Sequence, residues 1–121
     1  MRIDERTVGD ITILDVTGPI TADRGNTYLK DKINSLVSQG RTRILIDLGG
    51  VSYVDSTGLG ELIASLTTVS KSQGALKLMR VTKRLNDLLI ITKLINVFDT
   101  FDTEAEALSS FENVAHQPVT G

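Results

Sequence analysis

Apolar residues follow two patterns along this chain: short runs rich in β-branched residues, and longer stretches with an apolar position every three or four residues. The first two runs, "RIDERTV" and "ITILDVT", are joined by Gly9-Asp10, a pair typical of a two-residue hairpin turn. The run "RILIDL" at 43–48 predicts a strand buried on both faces, as in parallel strands that helices cover. Two more strands are predicted in "LKLMRV" and "NVFDTF". The inward face of the second strand is expected to consist of Ile11, Ile13 and Val16.

Helical periodicity separates these strands. Helices are predicted at about 21–39, at about 57–72, in "KRLNDLLIIT", and from Thr103 onward. Gly40 follows the first of them, where glycine commonly ends a helix, and Thr103 with Glu106 fits a capping box. The four apolar stripes are expected to consist of Leu29, Ile33, Leu36 and Val37; of Leu59, Leu62, Ile63, Leu66 and Val69; of Leu85, Leu88 and Leu89; and of Ala105, Leu108 and Phe111.

The order of these elements predicts the fold class. A hairpin followed by alternating helices and strands implies right-handed crossovers. We therefore expect a single α/β domain with a mixed, mostly parallel sheet of four to five strands and about four helices. The domain is expected to cover 1–112, and 113–121 is expected to be a flexible C-terminal tail.

Composition removes several classes of function. The chain has 121 residues, a net charge of −2, no tryptophan and no cysteine. No basic face and few aromatic residues argue against nucleic acid as a partner, and the missing cysteines exclude disulfides and thiolate metal ligands. His116 is the single histidine and cannot hold a metal without help, so neither a metal nor a cofactor is expected. No apolar leader or run of membrane-spanning length occurs, which predicts a cytoplasmic protein without membrane contact.

The segment "VSYVDSTGLGELIASL" at 51–66 is the candidate site. It places Asp55, Ser56 and Thr57 between a strand and a helix, with Gly58 and Gly60 just behind them. In sheets of this type, ligands and chemistry gather at loops that follow the carboxyl ends of strands. Each of the three polar residues is a good helix N-cap, worth about 1 kcal/mol. Capping alone explains one polar residue, but not the triplet together with its glycines.

Two further interpretations lack the residues that they need. A nucleotide P-loop requires a lysine after its last glycine, and none stands near Gly58. A nucleophile elbow, G-x-S-x-G, would need glycine where Val54 stands and a base for Ser56. The acids Asp47 and Asp55 could assist, but the single histidine, His116, lies in the predicted tail. The sequence therefore predicts no catalytic residue and no enzyme.

A fourth interpretation makes Ser56 the substrate of another protein. A phosphate there would carry roughly −1.5 to −2 charges, and a helix N-terminus would stabilise it. Asp55 would repel it, so phosphorylation would change the surface without refolding the domain. Glycines beside the hydroxyl would let another backbone, such as that of a kinase cleft, come close. This interpretation uses every residue of the motif.

The motif "VSYVDSTGLG", after "RILIDL" and before an amphipathic helix, resembles the signature of STAS domains, in particular bacterial anti-sigma factor antagonists. The resemblance covers about 3–111 and includes "RLNDLLIITKLINVFDTF". It implies that the unphosphorylated protein binds an anti-sigma factor serine/threonine kinase and frees the sigma factor. The kinase would phosphorylate Ser56 and break the complex, and a phosphoserine phosphatase would restore it. Partner contacts are implied for Asp55, Ser56, Thr57, Gly58, Leu59 and Thr21.

Two positions depart from the family pattern. The family often has Gly-Glu-[Leu/Ile]-Asp after its second strand, where this chain has Gly18-Pro19-Ile20-Thr21, without the acids. The glycine of the family's "ITGL" is Lys93 here. Three alternatives stay open: Thr57 as a second phosphorylation site, a stressosome-type scaffold subunit in place of a free antagonist, and a weak homodimer through the apolar surface of the motif helix.

Overall fold

The chain forms one five-stranded sheet with helices packed on both faces. In the computed structural model, which describes residues 1–21 and 28–116, the strands lie side by side in the order in which they follow one another along the chain. The first pair is antiparallel and the other three pairs are parallel. The strands are β1 (Arg2–Val8), β2 (Ile11–Thr17), β3 (Arg43–Gly50), β4 (Ala75–Met79) and β5 (Thr100–Phe101). The mixed, mostly parallel sheet predicted from the sequence is confirmed.

Four helices occur within the described ranges, as expected. They are α1 (Tyr28–Ser38), α2 (Ser56–Lys71), α3 (Lys83–Ile91) and α4 (Glu104–His116). Since every crossover from β2 to β5 moves one strand in the same direction, right-handed connections place α1, α2 and α3 on one face. The larger apolar core lies there, and a smaller core lies under α4 on the opposite face.

The hairpin forms where the sequence predicts it. Val8 pairs with Ile11, and Gly9 has a φ of +61°, a left-handed value that glycine adopts without strain. The single inward face expected for β2 is wrong, because β2 is buried on both faces. Ile11 and Ile13 belong to the smaller core, whereas Val16 belongs to the larger one. Alternate side chains of a strand point to opposite faces, and here a helix layer covers each face.

The helix boundaries sharpen several expectations. α1 begins at Tyr28, and 22–27, where its predicted start falls, lie outside the described residues. Gly40, with a φ of +78°, follows α1 and donates its N–H to the Val37 carbonyl at 3.0 Å. In α4 the buried alanine is Ala107 and the expected Ala105 is exposed, because the helix rests on the sheet along a slightly rotated stripe.

The C-terminal boundary stays a prediction in part. α4 continues through His116, four residues into the segment that the sequence assigns to the tail. Residues 117–121 lie outside the described part of the chain. None of the helices in the described ranges is long and apolar enough to span a membrane.

Candidate functional site

Two chain segments meet at the end of β3 and build the loop that carries Ser56. The segment after β2 forms an isolated parallel bridge between Ile20 and Val54. Two hydrogen bonds fix it: the Ile20 N–H donates to the Tyr53 carbonyl at 2.8 Å, and the Asp55 N–H donates to the Ile20 carbonyl at 3.3 Å. Thr21, which the sequence assigns to the partner contact, therefore follows directly on the residue that pairs with this loop.

Asp55 is the N-cap of α2. Its backbone is extended, and its side chain accepts a hydrogen bond from the Gly58 N–H at 2.7 Å. Sequence reasoning left Asp55, Ser56 and Thr57 as equal candidates for this role. The structure selects the carboxylate, whose charge also interacts favourably with the positive end of the helix dipole.

Because Asp55 takes the cap, Ser56 and Thr57 become the first two residues of α2, and both are exposed. Within the described residues, the Ser56 hydroxyl makes no hydrogen bond. It stands beside the Asp55 carboxylate at the amino end of a 16-residue helix. The geometry thus presents a free hydroxyl to solvent at a position that favours an anion.

The structure explains why position 58 is glycine, which the sequence alone did not reveal. A Cβ added there would lie 1.9 Å from the Ile20 carbonyl oxygen, whereas one added at Gly60 would meet nothing within 4 Å. The close backbone approach at Gly58 therefore comes from this chain and not from a partner. Gly58 and Leu59, both expected to contact the partner, are buried.

A groove runs alongside the serine. One wall is the loop from Val51 to Ser56, with Leu59 beneath it, and the other is α3 with its caps Thr82 and Thr92. The volume of the groove is about 360 Å³. We call it the Ser56 groove. Its surface is mainly apolar, and Tyr53 and Ile91 are respectively 47% and 77% exposed. Sequence reasoning missed α3 as a neighbour of the serine, since only the packing of the sheet brings the two together.

The other residues weighed as catalytic partners lie elsewhere. Asp47 shares the face of Leu45, under α4, and accepts hydrogen bonds from Arg80 Nε at 3.0 Å and the Gly49 N–H at 2.9 Å. Burial raises the pKa of Asp47, but these bonds outweigh burial and hold the pKa below its ordinary value. His116 ends α4, which packs on the face opposite α2. No group of three or more metal-ligating side chains occurs among the described residues.

The order of elements and the position of the D-S-T-G-L-G loop agree with a comparison against known families. Residues 2–107 match the STAS domain. This chain belongs to the STAS domain family.

Individual relatives place this STAS domain among the anti-sigma factor antagonists. The anti-sigma-B factor antagonist of Listeria monocytogenes is 31% identical over 110 residues, which cover 88% of this chain and 91% of that protein. The anti-sigma-B factor antagonist of Bacillus subtilis is 41% identical over 71 residues, 59% of this chain and 64% of that protein. The fold also matches that of the Bacillus cell fate determinant SpoIIAA in its phosphorylated form, with a TM-score of 0.71 at 18% identity over 91% of this chain and 99% of that one.

One unusual group of this STAS domain was not predicted. Glu61 of α2 is 9% exposed, and neither of its carboxylate oxygens has a hydrogen-bond partner within the described residues. Burial raises the pKa of Glu61 above its ordinary value, and the nearby Lys30 N–H offsets only part of this rise. The sequence could have indicated this burial, because Glu61 lies next to Leu62 within the apolar stripe of α2.

Proposed function

We propose that this STAS domain antagonises an anti-sigma factor that is itself a serine/threonine kinase. In its unphosphorylated form it binds that kinase and frees the sigma factor, and phosphorylation of Ser56 ends the complex. The observation that carries the proposal is the free, exposed Ser56 hydroxyl at the start of α2, beside an aspartate that already caps the helix. The protein acts as a switch and as a substrate, and catalyses no reaction itself.

The switch works through charge at a fixed surface. Asp55, Ser56, Thr57 and Thr21 form the partner-contacting surface, and buried Gly58 and Leu59 hold that surface in place. A phosphate on Ser56 adds roughly −1.5 to −2 charges beside Asp55, in the centre of this surface. The helix N-terminus stabilises the phosphate, so the domain stays folded. A loss of about 3 kcal/mol in partner affinity weakens binding more than a hundredfold.

The test uses the Ser56→Ala protein as bait, because a bait that cannot be phosphorylated stays bound to the kinase. Kinase captured from the native host is then incubated with ATP and the wild-type protein. Mass spectrometry is expected to find one phosphate, on Ser56, and Ser56→Asp is expected to bind the kinase at least a hundredfold more weakly than wild type. Thr57→Ala is the matched control and should still accept the phosphate. Phosphate absent from Ser56, or wild-type binding by Ser56→Asp, would refute the proposal.

Two simpler measurements separate the alternatives. Light scattering should give the mass of a monomer or a weak dimer, whereas a stressosome-type scaffold would form far larger particles. Hydrolysis of an activated ester that disappears in both Ser56→Ala and His116→Ala would instead show a serine hydrolase. A phosphoserine phosphatase is expected to return the phosphorylated protein to its binding form, and no metal or cofactor is needed.

A further inference from the structure

One positive side chain among the described residues lines the Ser56 groove together with the serine. Arg84 lies on the α3 wall, and Ser56 lies on the loop wall. Arg84 is exposed and occupies the first turn of α3. No other lysine or arginine among the described residues lines this groove. Among the described residues, a charge added to Ser56 therefore shares this groove with one cation, Arg84.

Among the described residues, Arg84 is also the arginine whose charge is left unpaired. Within the described ranges, every other arginine makes an ion pair with a carboxylate, and Arg84 makes none. The paired arginines are Arg2, Arg6, Arg41, Arg43 and Arg80. A guanidinium is planar, permanently charged and able to bind phosphate oxygens with two parallel N–H groups. An unpaired guanidinium across from a phosphorylatable hydroxyl is suited to that anion.

The acids of the groove have other partners. Asp55 accepts from the Gly58 N–H at 2.7 Å, and Asp87 lies 3.8 Å from the Lys83 ammonium one turn away on α3. Neither carboxylate forms an ion pair with Arg84. The Arg84 side chain is therefore available when a dianion forms on Ser56.

We propose that Arg84 binds the phosphate of phosphorylated Ser56 and so joins the loop wall of the Ser56 groove to α3. This inference rests on the proposed phosphorylation of Ser56. In the unphosphorylated protein the groove is open and its apolar surface, including Tyr53 and Ile91, is accessible to the kinase. The phosphate–guanidinium contact joins the two walls of the groove and restricts access to it. Charge on Ser56 thus changes a surface that extends beyond the serine itself.

The test installs the phosphate without any kinase. Phosphoserine is incorporated at position 56 during translation, and its second pKa, ordinarily about 6, is followed by ³¹P NMR at an ionic strength of about 0.1 M, where the Debye length is about 10 Å. A nearby cation favours the dianion, so the pKa is lowered. In Arg84→Gln we expect the pKa to be about 0.5 to 1 unit higher than in wild type, a threefold to tenfold tighter hold on the proton. Arg84→Lys should fall between the two, because it keeps the charge and loses the planar fork.

Lys71→Gln is the matched control. It removes one positive charge from the other end of the same helix as Ser56, about 22 Å away along the axis, beyond the Debye length. It should leave the phosphoserine pKa unchanged. An equal pKa in wild type and Arg84→Gln, or an equal change in Lys71→Gln, would overturn the inference. Circular dichroism checks that each variant is folded.

The outcome is independent of the proposed function. If a kinase phosphorylates Ser56 but Arg84→Gln leaves the pKa unchanged, the role of Arg84 alone is wrong. If the pKa responds to Arg84 but no kinase modifies Ser56, the phosphate site is real and the switch is wrong.

Discussion

Three of the described helices begin at a hydroxyl-bearing residue, but only at α2 do the hydroxyls at the start, those of Ser56 and Thr57, make no hydrogen bond within the described residues. At α3, Thr82 is the N-cap, and its hydroxyl accepts from the Leu85 N–H at 3.3 Å. At α4, the Thr103 hydroxyl accepts from the Glu106 N–H at 3.2 Å and donates to the Glu106 carboxylate at 3.0 Å. At α2, Asp55 performs that task and Ser56 is displaced into the first turn.

The difference shows what makes a helix-start hydroxyl available to another protein. A capping hydroxyl is held by the helix that it stabilises, and modification would remove the cap. A hydroxyl one residue later stays near the positive end of the helix but makes no capping hydrogen bond. The aspartate before Ser56 thus separates the structural task from the regulatory one. Four substitutions test this comparison.

The largest effect is expected at Gly58, which fixes the start of α2 against the turn after β2. Gly58→Ala places a Cβ 1.9 Å from the Ile20 carbonyl oxygen, and backbone on both sides must move. We expect a loss of at least about 3 kcal/mol in the free energy of unfolding, measured by urea denaturation. Gly60→Ala is the control, since its Cβ meets nothing within 4 Å, and it should gain up to about 1 kcal/mol from helix propensity. Equal effects of the two would contradict this packing.

Asp55→Ala removes the cap itself. Because the Gly58 N–H then loses its acceptor, the free energy of unfolding should fall by about 1 to 2 kcal/mol. Asp55→Asn keeps an acceptor oxygen and should lose less than half as much. Urea denaturation at neutral pH measures both. An Asp55→Ala protein with the wild-type free energy of unfolding would show that Ser56 or Thr57 can replace the cap.

Glu61 makes the stability of the folded protein depend on pH. Its raised pKa means that the folded protein holds this proton more tightly than the unfolded chain does. The resulting stability is fully present below the unfolded value of 4.5 and is lost as pH rises through the raised pKa. Glu61→Gln should therefore be more stable than wild type at pH 7. The difference should shrink as pH falls and vanish near pH 4.

Thermal denaturation across this pH range is the measurement for Glu61→Gln. Glu112→Gln removes an exposed carboxylate from α4 and should change stability little at any pH. A Glu61→Gln protein that is less stable than wild type at pH 7 would show that the carboxylate has a stabilising contact.

The smallest effect is expected at Ser56 itself. Ser56→Ala should change the free energy of unfolding by less than about 0.5 kcal/mol, because the hydroxyl is exposed and makes no hydrogen bond within the described residues. Thr103→Ala, which removes a capping hydroxyl at α4, should cost about 1 kcal/mol. Denaturation of the two proteins side by side tests the comparison directly. A Ser56→Ala loss as large as that of Thr103→Ala would mean that Ser56 shares the cap.

Much of the fold could be predicted because local patterns and tertiary packing agree. The Gly9-Asp10 turn, the buried run of β3 and the stripe of α2 all appear where periodicity places them. Predictions were wrong where the burial of a residue depends on a helix that lies far along the chain. β2 was assigned one inward face because α4, which covers its other face, lies about 90 residues further on. In α4 the buried alanine shifted to Ala107 for a similar reason, since the angle of the helix on the sheet sets its contact stripe.

By itself, the sequence determined the α/β class, the single domain and the D-S-T-G-L-G loop at the carboxyl end of a buried strand. These follow from neighbours in the chain, through periodicity, turn residues and helix signals. The tertiary structure alone decided which of three polar residues caps α2, why Gly58 must be glycine, and that Arg84 shares a groove with Ser56. Each of these depends on atoms far apart in sequence that the sheet brings together, such as the Ile20 carbonyl and the first turn of α3. Local pattern specifies elements, and only packing specifies which groups remain free at their ends.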